Sequence, residues 1–159
     1  HTGDIGEFIE ESFLTVTDRK KEIFKLSTGK YVAPQVIETK FKESLFINHI
    51  IVVGENRKFA SAIIIPNFTY LHDWCYIHKV RFRDNKNLIR DKKVIDRIQK
   101  EIDRLNQDLG RFEQIKKFVL IDDTWSPKSG ELTPTLKLKR EQLTYRYRRL
   151  INRFYVNEN

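Results

Sequence analysis

Ile50-Ile51-Val52-Val53 and Ala60-Ser61-Ala62-Ile63-Ile64-Ile65 stand on either side of Gly54-Glu55-Asn56-Arg57-Lys58. Two apolar runs separated by a polar connection read as two strands, a hairpin within a core sheet, and this is the strongest strand signal in the chain. Upstream, Phe8-Ile9, Phe13-Leu14-Thr15-Val16 and Ile23-Phe24-Lys25-Leu26 are short β-favouring runs between charged turns, and suggest strands or hairpin arms. Ser27-Thr28-Gly29-Lys30 is a turn. Pro34 then suits the first position of a helix carrying Ile37, Phe41 and Leu45 at i, i+4, i+8.

Downstream of the hairpin, Asn67 is placed to cap a helix bearing Phe68, Tyr70, Leu71, Trp74 and Tyr76. Asp91 is placed to cap a second helix, with Ile95, Ile98, Ile102, Leu105 and Leu109 at 3-4-3-4 spacing and Gly110 as its stop. Phe118-Val119-Leu120-Ile121 returns to strand, and Trp125-Ser126-Pro127-Lys128-Ser129-Gly130 is a loop. Leu143, Tyr147, Leu150, Ile151 and Phe154 define one basic terminal helix. Strands and helices in this segregated order predict an α+β domain: a small sheet with an N-terminal hairpin and helices packed on it.

Composition bounds what such a domain does. At 159 residues, with 40% hydrophobic and 12% aromatic side chains, the chain has enough apolar surface for one core, which excludes a disordered tail. The lone Cys75 excludes an internal disulfide, and no Cys/His spacing matches a zinc site, so a reducing, cytoplasmic setting is expected. The apolar runs fall far short of the roughly 18 residues that span a bilayer, and no signal-peptide pattern opens the chain. With no methionine and an opening at His1-Thr2-Gly3-Asp4, it reads as part of something longer. A net charge of +8 favours an anionic partner, but nucleic acid, nucleotide phosphates and an anionic lipid surface satisfy that equally. Contact with the inner face of a membrane therefore stays open.

No self-contained catalytic motif is present: no Gly-x-Ser-x-Gly, no His-Glu-x-x-His and no phosphate-cradling Gly-x-x-x-x-Gly-Lys-Ser/Thr. The scattered His1, His49, His72 and His78 read as surface or packed residues, and Cys75 as core filler. Three ordered segments stand out instead. They are Thr2-Gly3-Asp4-Ile5-Gly6; Asp18-Arg19-Lys20-Lys21-Glu22-Ile23-Phe24-Lys25, with Gly29-Lys30-Tyr31-Val32-Ala33-Pro34 and Glu38; and Glu131-Leu132-Thr133-Pro134-Thr135-Leu136-Lys137-Leu138-Lys139-Arg140.

In that order they resemble the last motifs of the AMP-forming acyl-CoA synthetases, the adenylate-forming enzymes that include luciferases and peptide-synthetase adenylation domains. Asp18 to Glu22 and Leu132 to Arg140 are most similar to the long-chain fatty acid branch, as is the helical stretch from Phe68 to Gly110. The resemblance implies the mobile C-terminal domain of a ligase that converts a long-chain fatty acid, ATP and coenzyme A to acyl-CoA, AMP and pyrophosphate. Residues 1–20 would be a remnant of the large N-terminal AMP-binding domain, and residues 21–159 the mobile domain. That large domain would be the partner, would hold Mg2+ in the main, and would carry the phosphate loop and acyl pocket, so the chain alone should be inactive.

Residue by residue, the resemblance implies nucleotide contacts for Asp4 and Arg19 at the ribose, a hinge at Lys21, a place for Gly29 beside the coenzyme A channel, and the adenylation lysine at Lys137. Gly29 also reads simply as a positive-φ turn, and Lys137 as a solvated lysine at the start of the terminal helix. Many relatives have glycine before this lysine, where the chain has Leu136. The alternative from another class is a basic nucleic-acid-binding module, with Arg140, Arg146, Arg148, Arg149 and Arg153 interleaved with Tyr145 and Tyr147. No recognised RNA-binding signature occurs, and nucleic acid is not the expected partner.

Overall fold

The two apolar runs are strands β3 (Ile47–Val53) and β4 (Ala60–Pro66), paired antiparallel with Ile50 opposite Ile64 and Ile51 opposite Ile63. The computed structural model describes residues 22–157. Every residue of β4 is buried, because helices and loops cover both faces of the sheet. That double burial explains an unbroken apolar run where a one-sided sheet would alternate. Gly54 closes β3 at φ +145°, and an added Cβ would lie 2.8 Å from the Phe59 carbonyl oxygen, so the turn into β4 accepts only glycine without rearrangement.

β1 (Phe24–Lys25) and β2 (Tyr31–Val32) form a separate antiparallel pair around the turn at Gly29. The early apolar runs at residues 8–16 lie outside the described residues. α1 (Pro34–Phe41) begins at its proline and buries Pro34, Ile37, Glu38 and Phe41. It stops at Phe41, so Leu45 does not extend its stripe: 64% of Leu45 is exposed.

After β4 the chain crosses over through α2 (Phe68–Ile77), α3 (Asn85–Leu88) and α4 (Lys92–Asn106), then returns as β5 (Ile115–Leu120), parallel to β4. The sheet order is β3-β4-β5. The crossover and parallel strand go beyond the expected hairpin; parallel neighbours require such a long connection, and the helices of residues 68–106 supply it. Asn67 Oδ1 accepts the Tyr70 amide at 3.2 Å, and Asp91 Oδ1 accepts those of Lys93 and Val94, so both predicted caps form. Two details of α4 differ from expectation. The buried stripe is Val94, Ile98, Ile102 and Leu105, with Ile95 at the solvent edge, and the helix ends at Asn106 rather than running to Gly110.

One face of the sheet, through Ile50, Val52, Ala62 and Ile64, packs on α1 to α4. The opposite face, through Ile51, Val53, Ile63 and Ile65, packs on Trp125, Leu132, Leu143, Tyr147, Phe154 and Tyr155. Here the expected single terminal helix is two short ones, α5 (Arg140–Arg146) and α6 (Arg148–Arg153), joined at Tyr147 (φ −100°, ψ 19°). The break lets Leu143, Tyr147 and Phe154 all reach the sheet. The small sheet with helices packed on it is as expected, and it is covered on both faces.

Candidate functional site

Lys137 sits on a tight hairpin whose geometry follows from its sequence. Leu132 bridges Leu138, Thr133 N–H donates to the Lys137 carbonyl at 2.8 Å, and Leu136 N–H donates to the Thr133 carbonyl at 2.8 Å. Pro134 occupies the second turn position, which its fixed φ suits, and Leu136 follows in the left-handed region at φ +67°. A turn followed by a left-handed residue is the usual three-residue hairpin loop, a place that glycine suits and that Leu136 fills here. Thr133 Oγ1 also accepts the Lys137 amide at 3.0 Å. The backbone of Lys137 is therefore held from both sides while its side chain is exposed.

The base of this hairpin is pinned by charge. Buried Glu131 accepts the Ser126 amide at 3.1 Å and ion-pairs with Arg146, while Lys139 N–H donates to the Glu131 carbonyl at 2.9 Å. A hydrogen bond from the Ser129 hydroxyl, helped by the Ser126 amide and Arg146 against the cost of burial, holds the Glu131 carboxyl below its ordinary value.

Arg140, three residues after Lys137, makes the central contact of the site. Its Nη1 donates to Glu38 Oε2 at 2.7 Å and its Nη2 to Glu38 Oε1 at 2.8 Å, a two-pronged pair. Glu38 Oε2 also accepts the Val52 amide at 2.8 Å, tying the pair to β3. The same Nη2 lies 3.2 Å from Glu22 Oε1. Burial pushes the Glu38 carboxyl above its ordinary value despite the hydrogen bonds and charge of Arg140. Burial acts to lower Arg140, but the hydrogen bonds and charges of Glu38 and then Glu22 offset it and the guanidinium stays above its usual value. The buried Nε of Arg140 finds no acceptor among the described residues.

A cavity of about 150 Å³ lies between the hairpin, α1 and β3, lined by residues that include Glu22, Lys42, His49, Leu136, Lys137 and Arg140. His49 packs against Trp125 with ring centres 5.6 Å apart, and burial together with Lys42 holds it below its ordinary value. The other described histidines are packing residues: His72 stacks on Phe82 and bonds Asn85, and His78 stacks on Trp74. Cys75 is buried, and burial pushes its thiol up.

Gly29 has φ +91°, which accounts for glycine by conformation alone, and a Cβ there would meet nothing within 4 Å. Its turn is closed by Gly29 N–H to the Leu26 carbonyl at 2.9 Å, and is moored to the β3–β4 connection by Ser27 N–H to the Arg57 carbonyl and Asn56 N–H to the Lys25 carbonyl. Gly29 thus lies toward the Gly54 end of β3, and Lys137 toward the His49 end. The two ends are about 17 Å apart at strand rise. Asp4, Arg19 and Lys21 lie outside the described residues.

Glu22, Glu38 and Arg140 all fall in the segments that carry the resemblance, but nothing in the sequence pairs them. The available signal was helical phase: Glu38 falls between Pro34 and Phe41 on the buried side of α1, where a carboxylate needs a cation. The arginine and tyrosine series of the terminal segment is dispersed by the fold. Arg146 is committed to Glu131 and Asp123, and Tyr147 is buried, accepting from Trp125 Nε1 at 3.0 Å and donating to Asp123. Burial and Asp123 push the Tyr147 hydroxyl up to about 12. Tyr147 is therefore turned inward, and Arg146, about half exposed, is engaged by two carboxylates.

Among the described residues no helix is long and apolar enough to cross a membrane, and no three Asp, Glu, His or Cys side chains converge to hold a metal. The chain is 38% identical over 164 residues to human long-chain-fatty-acid–CoA ligase 1, with 98% of the chain and 22% of the relative covered. Long chain acyl-CoA synthetase 2 of Arabidopsis thaliana is 32% identical over 158 residues, with 98% and 24% covered. The chain thus spans less than a quarter of the length of these relatives. Its fold is similar to the adenylation domain of a carboxylate reductase from Mycobacterium chelonae, with a TM-score of 0.71 at 21% identity, over 87% of the chain and 20% of that structure. The adenylation and carrier didomain of a carboxylic acid reductase from Segniliparus rugosus, solved with AMP, gives 0.69 at 19% identity, over 86% and 18%. Residues 21–159 match the family described as AMP-binding enzyme C-terminal domain, and the chain belongs to that family, within the adenylate-forming enzymes.

Proposed function

We propose that this chain serves as the mobile C-terminal domain of an ATP-dependent, AMP-forming long-chain fatty acyl-CoA ligase, and that Lys137 serves its adenylation step. The observation that carries the reading is an exposed lysine on a hairpin whose backbone is clamped, in the register the resemblance requires. In the first half-reaction the fatty carboxylate oxygen attacks the α-phosphorus and pyrophosphate leaves. The Lys137 ammonium, reaching out from the hairpin, would neutralise the two like-charged reactants and the charge gathering between them. In the second, the coenzyme A sulfur attacks the acyl carbon and AMP leaves, with the Gly29 turn brought to the thiol arm.

In this reading the boundary falls between residues 20 and 21, the partner is the protein's own N-terminal AMP-binding domain, and rotation occurs about Lys21. Asp4 and Arg19 meet the ribose of ATP. The Mg2+ that accompanies ATP would be held by the large domain. The names of the relatives support a long-chain acid, and a cytoplasmic enzyme peripheral to the inner membrane face would meet such acids where they partition. In the full-length ligase, Lys137→Ala should slow acyl-adenylate formation about a hundredfold to a thousandfold. Thioester formation from supplied acyl-adenylate should survive. Equal loss of both steps would sink the assignment.

A further inference from the structure

The ligase reading places a hinge at Lys21 and an acting group at Lys137, residues far apart in sequence, and leaves open what transmits position from one to the other. Resting on that reading, we propose that Glu22 is a positioning residue for adenylation, acting through Arg140 on the Lys137 hairpin.

Arg140 closes the hairpin and opens α5, so the plane of its guanidinium bears on the chain three residues from Lys137. Glu38 fixes that plane with two hydrogen bonds and is itself fixed to β3 by the Val52 amide. Nη1 also reaches the Val52 carbonyl at 3.5 Å, and the one contact outside Glu38 and β3 is Glu22, whose Oε1 meets the same Nη2 that Glu38 Oε1 uses. Glu22 directly follows Lys21, so one guanidinium joins the start of the moving domain to the loop that must arrive at the reacting phosphate. Glu22, Leu136, Lys137 and Arg140 also line one cavity, so both ends of this connection border the same space.

The Glu22 side chain is about one-third exposed, whereas that of Glu38 is 7% exposed. Removing the Glu38 carboxylate would leave a buried, uncompensated Arg140 and unsettle the fold. Removing the charge of Glu22 leaves the Arg140–Glu38 pair intact and slackens only the link to the hinge side. The Gly29 turn has separate moorings at Lys25–Asn56 and Ser27–Arg57, so this link does not hold it. Glu22 should therefore matter to one half-reaction and not the other.

The test uses the full-length ligase carrying Glu22→Gln, Lys137→Ala or both. Exchange of labelled pyrophosphate into ATP with a long-chain acid reads adenylation, and thioester formation from synthetic acyl-adenylate and coenzyme A reads the second step. Glu22→Gln should lower the kcat of adenylation about tenfold by misplacing the lysine, with KM for ATP and acid, and the thioester step, held within about twofold. In the Lys137→Ala background the same change should cost less than about twofold further, because the group it positions is gone. Unchanged exchange, equal loss in both half-reactions, or a full multiplicative loss in the double variant would overturn the proposal. Intact exchange in Lys137→Ala alone would remove the adenylation role of Lys137 and the proposal with it, whereas absence of exchange in the unaltered ligase would overturn the ligase reading itself; both arms are read without reference to Glu22.

Discussion

Leu136 holds a left-handed conformation at φ +67° immediately before Lys137, a place where an L side chain costs about 1–2 kcal/mol relative to ordinary backbone. The leucine recovers little by packing, since 65% of it is exposed. The hairpin nevertheless keeps its register because Thr133 bonds both Leu136 and Lys137, and Pro134 fixes the turn between them. Leu136→Gly should relieve the strain and stabilise the 159-residue chain by about 0.5–1 kcal/mol, net of the greater entropy of glycine in the unfolded state. Urea unfolding of the two chains checks this. At this scale the sequence was informative about identity and silent about conformation. Lys137 was legible from its neighbours, but that Leu136 would take the glycine conformation follows from hydrogen bonds closed across the loop.

The hairpin as an element is anchored at its base by Glu131 as well as closed by its own turn. This carboxylate joins the loop of Ser126 and Ser129 to α5 through Arg146, and its folded value is depressed first by the Ser129 hydroxyl. A depressed carboxyl contributes stability that is fully present above its unfolded value near 4.5 and is lost as pH falls through the folded one. The difference in unfolding free energy between the native chain and Glu131→Gln should therefore be full well above the unfolded value of 4.5 and shrink as pH falls below it. A difference that stays constant across that range would remove Glu131 as the titrating anchor. Elements with local causes were legible: the Asn67 and Asp91 caps, the proline start of α1 and the β3–β4 pair. The C-terminal end of α4 and the break at Tyr147 were not, because each is set by what the element packs against. Ile95 satisfies helical spacing as well as Val94, and only the position of the sheet decides between them.

Across the whole molecule, β3 separates two working ends. The Gly29 turn is moored beside Arg57 at one end, and the Lys137 hairpin borders the His49 cavity at the other, so one rigid body cannot present both to the same point without turning. That arrangement supports the rotation proposed for the ligase. Gly29→Ala should cost the chain about 1 kcal/mol, the price of φ +91° with a Cβ, since no neighbour crowds it. In the full-length ligase, the same change should slow thioester formation about tenfold or more if coenzyme A passes this turn, with adenylation within about twofold. Half-reaction assays on Gly29→Ala and Lys137→Ala should thus give opposite patterns, and a common pattern would remove the division of labour between the two loops.

By itself, the sequence determined the α+β class, the central hairpin, the two helix caps and the family register that singles out Lys137 and Gly29. These rest on local causes: short-range spacing, side chains that bond their own backbone, and motifs contiguous in the chain. Only the tertiary structure decided that β5 joins parallel to β4, that the sheet is covered on both faces, that Tyr147 turns inward, and that Glu22 and Glu38 meet on Arg140. Those depend on residues about 20 to 120 positions apart being brought within a few ångströms, where burial raises the cost of an unpaired charge and so selects the partner.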